Sequence, residues 1–415
     1  MAFITKMICA RCGTKCLPDE KVCMCVNKDD GRLDIYYDYS SLAQKVNKET
    51  LIGRVPSVWK YREFLPVRNK KNIVTLGEGG TPLLKASNLA RKVRLKNLYL
   101  KDETRNPTGS FKDRSMTVGV SKALEFGEQT VAIASSGNAA ASLAAYCAKA
   151  RLRCFAFVPE FASPVKIAQI CLYGANVVRV STADEDKDPT VQMLRRVVEK
   201  YGWYPCPSFG LFNPYQVEGP KTIPYEIIEQ LNWKVPDWIV IPVGSACLFA
   251  GVWKGFADFY NVGLTDSMPK FAAIQSTGCA PLIRAFKERR EPFEIKPWKN
   301  PQTIASGLAD PLPWDGDAAL TALRDNGTAE AVSDEEIRRS QRLLASTEGL
   351  FAEPSGVTSL AGLNKLIEQH IVGRDETVVA LITGSGLKDP EAAIRTSKEV
   401  PIIKPSIKEF ENSRF

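Results

Sequence analysis

At 415 residues the chain is too long for one core and is expected to divide into two or three compact units. Hydrophobic residues make up 44% and charged residues 25%, with Gly and Pro scattered, which excludes a disordered chain. A net charge of +8, with Lys and Arg interspersed among Asp and Glu, excludes a clustered nucleic-acid stripe, and no run reaches the roughly 18 to 20 apolar residues that a membrane span requires.

The N-terminal stretch MAFITKMICARCG lacks the apolar segment of a secretory signal, so a cytoplasmic location is expected. In that setting the eleven cysteines read as thiols or metal ligands rather than disulfides. Five fall within the first 25 residues: Cys9-x-x-Cys12, then Cys16, then Cys23-x-Cys25. With the hairpin-like GRLDIYYDY behind them, residues 1–38 resemble a zinc ribbon in which Cys9, Cys12, Cys23 and Cys25 would hold the metal. The second pair is one residue short of the usual spacing, so Cys16 is a substitute ligand and a ribbon that no longer binds metal is the alternative. The single histidine, His370, closes the amphipathic run LAGLNKLIEQH, where a last-turn role against the helix dipole is expected. A His-based triad therefore has nothing to build on, and chemistry must come from Lys, hydroxyls, carboxylates or a cofactor.

From Asn97 onward short apolar runs alternate with helical patterns: NLYLK, SMTVGVSKALEFG, TVAIA, NAAASLAAYCAKA, RCFAFVP. The pattern returns at PVKIAQICLYG and NVVRV, at PDWIVIPV before LFAGVWKGFADFY, and at TVVALITG. Alternation of this kind predicts an α/β fold with mainly parallel sheets in two lobes. In such sheets ligands bind beyond the carboxyl ends of strands, so the loops that follow them are where chemistry is expected.

Four such loops stand out. Asn106-Pro107-Thr108-Gly109-Ser110-Phe111-Lys112 delivers a lysine to a helix start, where the positive field of unpaired N–H groups favours a neutral, nucleophilic amine. Ser135-Ser136-Gly137-Asn138-Ala139 follows TVAIA and opens an Ala-rich helix, so that a substrate carboxylate could approach its backbone; a plain N-cap is the alternative. Gly244-Ser245-Ala246-Cys247-Leu248 lies between another strand and helix, suited to cradle a phosphate. Thr383-Gly384-Ser385-Gly386-Leu387-Lys388-Asp389-Pro390 caps the last strand and offers a hydroxyl from Thr383.

Together these loops, with YREFLPV, GEGGTPL, NPTGSFKDR, SSGNAAAS, KIAQ, NPYQVEGPKT and TGSGLKDP, resemble the threonine synthase family of fold type II enzymes dependent on pyridoxal 5'-phosphate (PLP), the fold of tryptophan synthase β. The resemblance covers nearly the whole chain and implies a catalytic region over 39–415, with a smaller lobe at about 113–220 inserted in the larger, and a homodimer. It implies that Lys112 carries PLP as a Schiff base and exchanges protons at the substrate's α and β carbons. Asn138 would bond the ring hydroxyl, Thr383 would face the ring nitrogen, and Gly244, Ser245, Ala246, Cys247 and Leu248 would hold the phosphate. Ser135, Ser136, Gly137 and Ala139 would meet a small amino-acid substrate, with neither nucleic acid nor membrane as partner. A neutral hydroxyl at the ring nitrogen suits elimination over transamination.

The chain departs from the family where Asn-Ser-x-Asn-Pro-x-Arg, which helps bind the phosphate of O-phosphohomoserine, becomes Gly210-Leu211-Phe212-Asn213-Pro214-Tyr215-Gln216. A neutral Gln216 in place of a bidentate Arg predicts a weakened phosphate pocket, with Lys166 and Lys221 as remaining anion contacts. Loss of a charged pair would lower binding by about 2 to 5 kcal/mol. The expectation is a PLP-dependent lyase or synthase acting by β/γ-elimination or replacement, on a substrate other than O-phosphohomoserine. Authentic threonine synthase, a serine or threonine dehydratase and an inactive regulatory homologue are the alternatives.

Overall fold

The structure is a computed structural model, and it describes residues 3–17, 21, 23–181, 188–397 and 400–413. Its N-terminal sheet has the order β2-β1-β3, built from β1 (Ile4–Cys9), β2 (Lys15–Cys16) and β3 (Leu33–Tyr37), all antiparallel. Met7, Leu33 and Ile35 from this sheet are buried in the same core as Phe249, Val252 and Phe256 of the main body. The N-terminal unit is thus docked by its apolar face.

The apolar runs become parallel strands, most of them largely buried. A six-stranded sheet has the order β12-β11-β10-β13-β5-β4. Its strands are β4 (Leu83–Lys85), β5 (Asn97–Asp102), β10 (Trp238–Pro242), β11 (Lys270–Ser276), β12 (Gly327–Val332) and β13 (Thr377–Ile382), parallel except for β4. Between β5 and β10 the chain builds a second, parallel sheet of order β8-β7-β6-β9, from β6 (Thr130–Ala134), β7 (Arg153–Pro159), β8 (Asn176–Val180) and β9 (Tyr204–Pro205). β11 and β12 were not anticipated: β12 reads GTAEAV, a composition poor in the β-branched and aromatic residues that mark strands.

Six helices frame the space between the two parallel sheets or anchor its walls: α1 (Lys112–Glu125), α2 (Asn138–Ala150), α3 (Pro214–Val217), α4 (Thr222–Gln230), α5 (Cys247–Asn261) and α6 (Pro354–Glu368). The helix expected to run to His370 ends at Glu368, and His370 sits beyond it with a left-handed φ of 57°. The expected dipole role in a last turn therefore does not apply. Among the described residues no helix is long and apolar enough to cross a membrane.

The start of α1 is fixed by a buried charge network. Arg114 is fully enclosed and bonds Glu103 at 2.7 and 2.8 Å and Glu226 of α4 at 2.6 and 2.8 Å. Lys101, at the end of β5, adds a 2.7 Å bond to Glu226. Burial pushes the Glu226 carboxyl up, but the Arg114 and Lys101 charges more than offset this and hold it well below its ordinary range. The network ties α1 to the large sheet two residues beyond Lys112.

Candidate active site

A cavity of about 690 Å³ opens between the two parallel sheets, at the carboxyl ends of β6 and β13 and the start of α1. That volume suits a cofactor with a small substrate, by the usual range of roughly 300 to 1,000 Å³. Lys112, Ser135, Ser136, Gly137, Asn138, Ala139, Lys166, Ser245 and Thr383 all line it. Residues far apart in sequence are brought together because each loop follows a strand at the same end of its sheet.

Lys112 is the first residue of α1. Its amine lies 2.7 Å from Ser208 Oγ and 3.5 Å from Cys247 Sγ, the first residue of α5. Behind Cys247, Ala246 adopts a left-handed φ of 69° and ends the loop from β10, so the unpaired N–H groups at the start of a 15-residue helix face this region. A Cβ on Gly244 would stand 2.9 Å from the carbonyl oxygen of Gly307, so the loop passes the neighbouring strap only as glycine. Of this loop Ser245 lines the cavity and Cys247 meets the Lys112 amine, while Gly244, Ala246 and Leu248, expected at the phosphate, are not in its lining.

Across the cavity, the Asn138 amide donates to Glu353 Oε1 at 2.7 Å. Glu353 precedes α6 and is buried, and burial pushes its carboxyl from 4.5 up to about 7 against the opposing pull of Asn138 and Lys388. Because the folded chain holds this proton more tightly than the unfolded one, its contribution to stability is complete below pH 4.5 and is lost as the pH rises through about 7. Glu353→Gln is therefore expected to gain thermal midpoint relative to the parent on going from pH 5 to pH 8. An equal difference between the two proteins at both pH values would reject this assignment.

Glu353, Ser208, Asp310 and the stacked pair Phe209–Trp314, with ring centroids 5.0 Å apart, are cavity residues that the sequence reading missed, while Lys388 comes from the last loop it singled out. Glu353 carried a readable sign, a carboxylate immediately before a proline that opens a helix. Ser208, at a left-handed φ of 68° in an irregular loop, carried none. Lys166 reaches from the small-sheet side to Ser306 Oγ at 2.7 Å, and Lys388 reaches from the large-sheet side to the Gln169 side chain, so two cations cross between lobes.

Three expected residues lie elsewhere. Gln216 is fully buried on α3, where Asn213 caps the helix and turns the side chain onto α1 at Gly119; its amide donates to the Phe209 carbonyl at 3.3 Å. The sequence argument for a weakened phosphate pocket, built on Gln216, therefore does not bear on this cavity. Lys221 is enclosed between Glu218 at 2.7 Å and Asp258 at 2.9 Å and is no anion contact. Cys23 packs on the small-sheet core, where burial pushes its thiol up to about 12, away from the other N-terminal cysteines. The atoms that do converge belong to Cys9, Cys12, Cys25 and Asp29.

An α/β fold with a lysine-bearing cavity between two parallel sheets has the architecture of fold type II PLP-dependent enzymes, and residues 74–384 match the family described as pyridoxal-phosphate dependent enzyme. The chain is 44% identical to threonine synthase of Methanocaldococcus jannaschii over 94% of its own length and 95% of that protein. It is 43% identical to threonine synthase of Methanosarcina acetivorans over 98% of both chains. Among solved structures, threonine deaminase isoform 2 of Solanum lycopersicum superposes with a TM-score of 0.65 at 24% identity, over 76% of this chain and 82% of that one. Diaminopropionate ammonia lyase of Escherichia coli superposes with a TM-score of 0.66 at 17% identity, over 79% and 90%, and both share the fold. The chain belongs to the threonine synthase family of PLP-dependent enzymes, within the carbon–oxygen lyase class.

Proposed function

We propose that the chain performs β/γ-elimination or replacement on a small amino acid, with Lys112 as the residue that carries PLP and moves the proton. The observation that carries this reading is the Lys112 amine on the cavity wall between Ser208 and Cys247, facing the start of α5. The donor set fits the cofactor: an amine, a helix N-terminus behind a tight Gly244–Ala246 turn for its phosphate, the Thr383 hydroxyl, and the Asn138 amide held by Glu353. When bound, PLP supplies an electron sink that allows bonds at the α, β and γ carbons to break.

The chain's own residues account for the rest. Ser135 to Ala139 present the N-terminus of α2 to the substrate carboxylate, where exposed N–H groups and the helix dipole hold an anion. Ser208 orients the Lys112 amine for proton exchange. Lys166 and Lys388 place positive charge where an anionic leaving group would develop. The neutral Thr383 hydroxyl disfavours transamination. Zinc at the N-terminal cysteines would be structural and takes no part in this chemistry.

The test is to supply O-phosphohomoserine, serine and threonine to the PLP-loaded protein and measure phosphate, threonine and 2-oxo acid. Threonine with phosphate identifies a threonine synthase, and 2-oxo acid with ammonia a dehydratase. A protein that shows no change in cofactor absorbance with any amino acid, and no product, refutes the catalytic reading. The same loaded protein, examined by size exclusion, tests the homodimer.

A further inference from the structure

We infer that Cys9, Cys12, Cys25 and Asp29 form a structural site for a divalent, zinc-like metal, with Asp29 rather than Cys23 as the fourth ligand. One ligand atom from each of the four lies within 4.8 Å of all the others. Cys12 Sγ is 3.6 Å from Cys25 Sγ, and Cys9 Sγ is 3.5 and 3.6 Å from the two Asp29 oxygens. A tetrahedral ion with bonds of about 2.3 Å to sulfur and 2.1 Å to oxygen sets S···S edges near 3.8 Å and S···O edges near 3.6 Å. The observed spacings match those edges. Three thiolates with one carboxylate in tetrahedral array select zinc over calcium or magnesium, which take oxygen ligands in higher coordination.

The surroundings are built toward the same point. Gly13 follows Cys12 with a φ of 73° and returns its N–H to the Cys9 carbonyl at 2.9 Å, closing the first knuckle. The Lys28 N–H closes the second on Cys25 at 3.0 Å. Asp29 is fixed between two left-handed non-glycine residues, Lys28 and Asp30, and its Oδ1 accepts the Gly31 N–H at 2.9 Å. A side chain on Gly31 would collide with Cys9 Sγ, so this loop lies against the ligands. The Asn27 amide reaches Cys12 Sγ at 3.4 Å, the kind of outer contact that orients a metal-bound thiolate. Cys9 and Cys25 are buried while Cys12 and Asp29 reach the surface, which leaves an entry path for the ion.

The site also has a mechanical output. Four residues past Asp29 strand β3 begins at Leu33, and Arg32 just before it is buried against Asp317 at 3.1 Å and Asp315 at 3.8 Å. Asp315 accepts the Gly210 N–H at 2.8 Å and donates its own N–H to the Ser245 carbonyl at 2.9 Å, on the cavity wall. A metal at the cysteines therefore fixes the segment from which Arg32 braces the loop bearing Ser245.

The experiment is metal analysis of the full-length, PLP-loaded protein from zinc-sufficient growth, reduced and gel-filtered. About one zinc per chain is expected, and cobalt exchanged into the protein should give the intense visible bands of a tetrahedral thiolate site. Cys12→Ser and Asp29→Ala should each lose most of the metal while keeping bound PLP, and Cys23→Ser should keep the metal. Metal-free protein with no cobalt spectrum overturns the site. Full zinc in Asp29→Ala, or its loss in Cys23→Ser with the fold intact by circular dichroism, overturns the ligand assignment.

Discussion

Lys112→Ala is expected to lower turnover of the substrate by at least about 1,000-fold, the scale of a positioned acid–base group, and to abolish the colour that PLP shows when linked to the protein. Among the described residues the other lysines on the cavity wall, Lys166 and Lys388, have their amines turned to Ser306 and Gln169 rather than to the start of α5. Folding should be little changed, because the Lys112 side chain points into the cavity and its local partners are Ser208 and Cys247. The decisive comparison is PLP absorbance and single-turnover rate in the variant and in Ser208→Ala. The serine variant should keep the cofactor and lose rate only moderately, since it orients the amine rather than supplying it. A lysine variant that retains both colour and turnover would remove Lys112 from the reaction.

Arg114→Met is expected to destabilise the fold by about 3 to 5 kcal/mol, because it leaves buried carboxylates without their partner. Glu103 and Glu226 each accept two bonds from this guanidinium, and of these two carboxylates Lys101 bonds Glu226 and not Glu103. Glu103 would be left in the interior with Thr81 and Asn106 as its remaining partners. The urea midpoint of the variant should fall accordingly, and replacing Glu103 with Gln in the same background should restore part of the loss. A shift below about 1 kcal/mol would show that the carboxylates are relieved by protonation or by water. Because α1 begins two residues before Arg114, weaker cofactor retention is expected alongside.

Much of the fold was legible because most of its strands are largely buried and read as short runs rich in apolar residues. NLYLK, TVAIA, RCFAFVP and NVVRV each became a strand within a residue of the run, and TVVALITG became one that ends two residues short of it at Ile382. GTAEAV did not, since Gly, Ala and Glu dominate it and leave little strand preference to read, whereas NVVRV, also at a sheet edge, carries three valines. In the site, loops that follow strands announced themselves through Gly, Ser and Asn at helix starts, which is how Lys112, Ser135 to Ala139, Ser245 and Thr383 were found. Gln216 misled because position in a motif says nothing of which way a short capped helix turns its side chain. Asp29 was hidden because a single carboxylate in a loop has no spacing to mark it, and only the three-dimensional return of residues 25–31 to β1 brings it to the thiols.

The order of strands in the large sheet has a consequence for synthesis. β13 lies between β10 and β5, yet it is made last, long after β5 has paired with nothing but β4. The small sheet, complete by residue 205, has all its strands in hand well before that. A growing chain on the ribosome therefore carries a closed small lobe and a split large one, whose two halves expose unpaired edges where β13 will enter. Any chain that stops short of Thr377 would keep its lysine and its phosphate loop but lose the strand that brings them face to face.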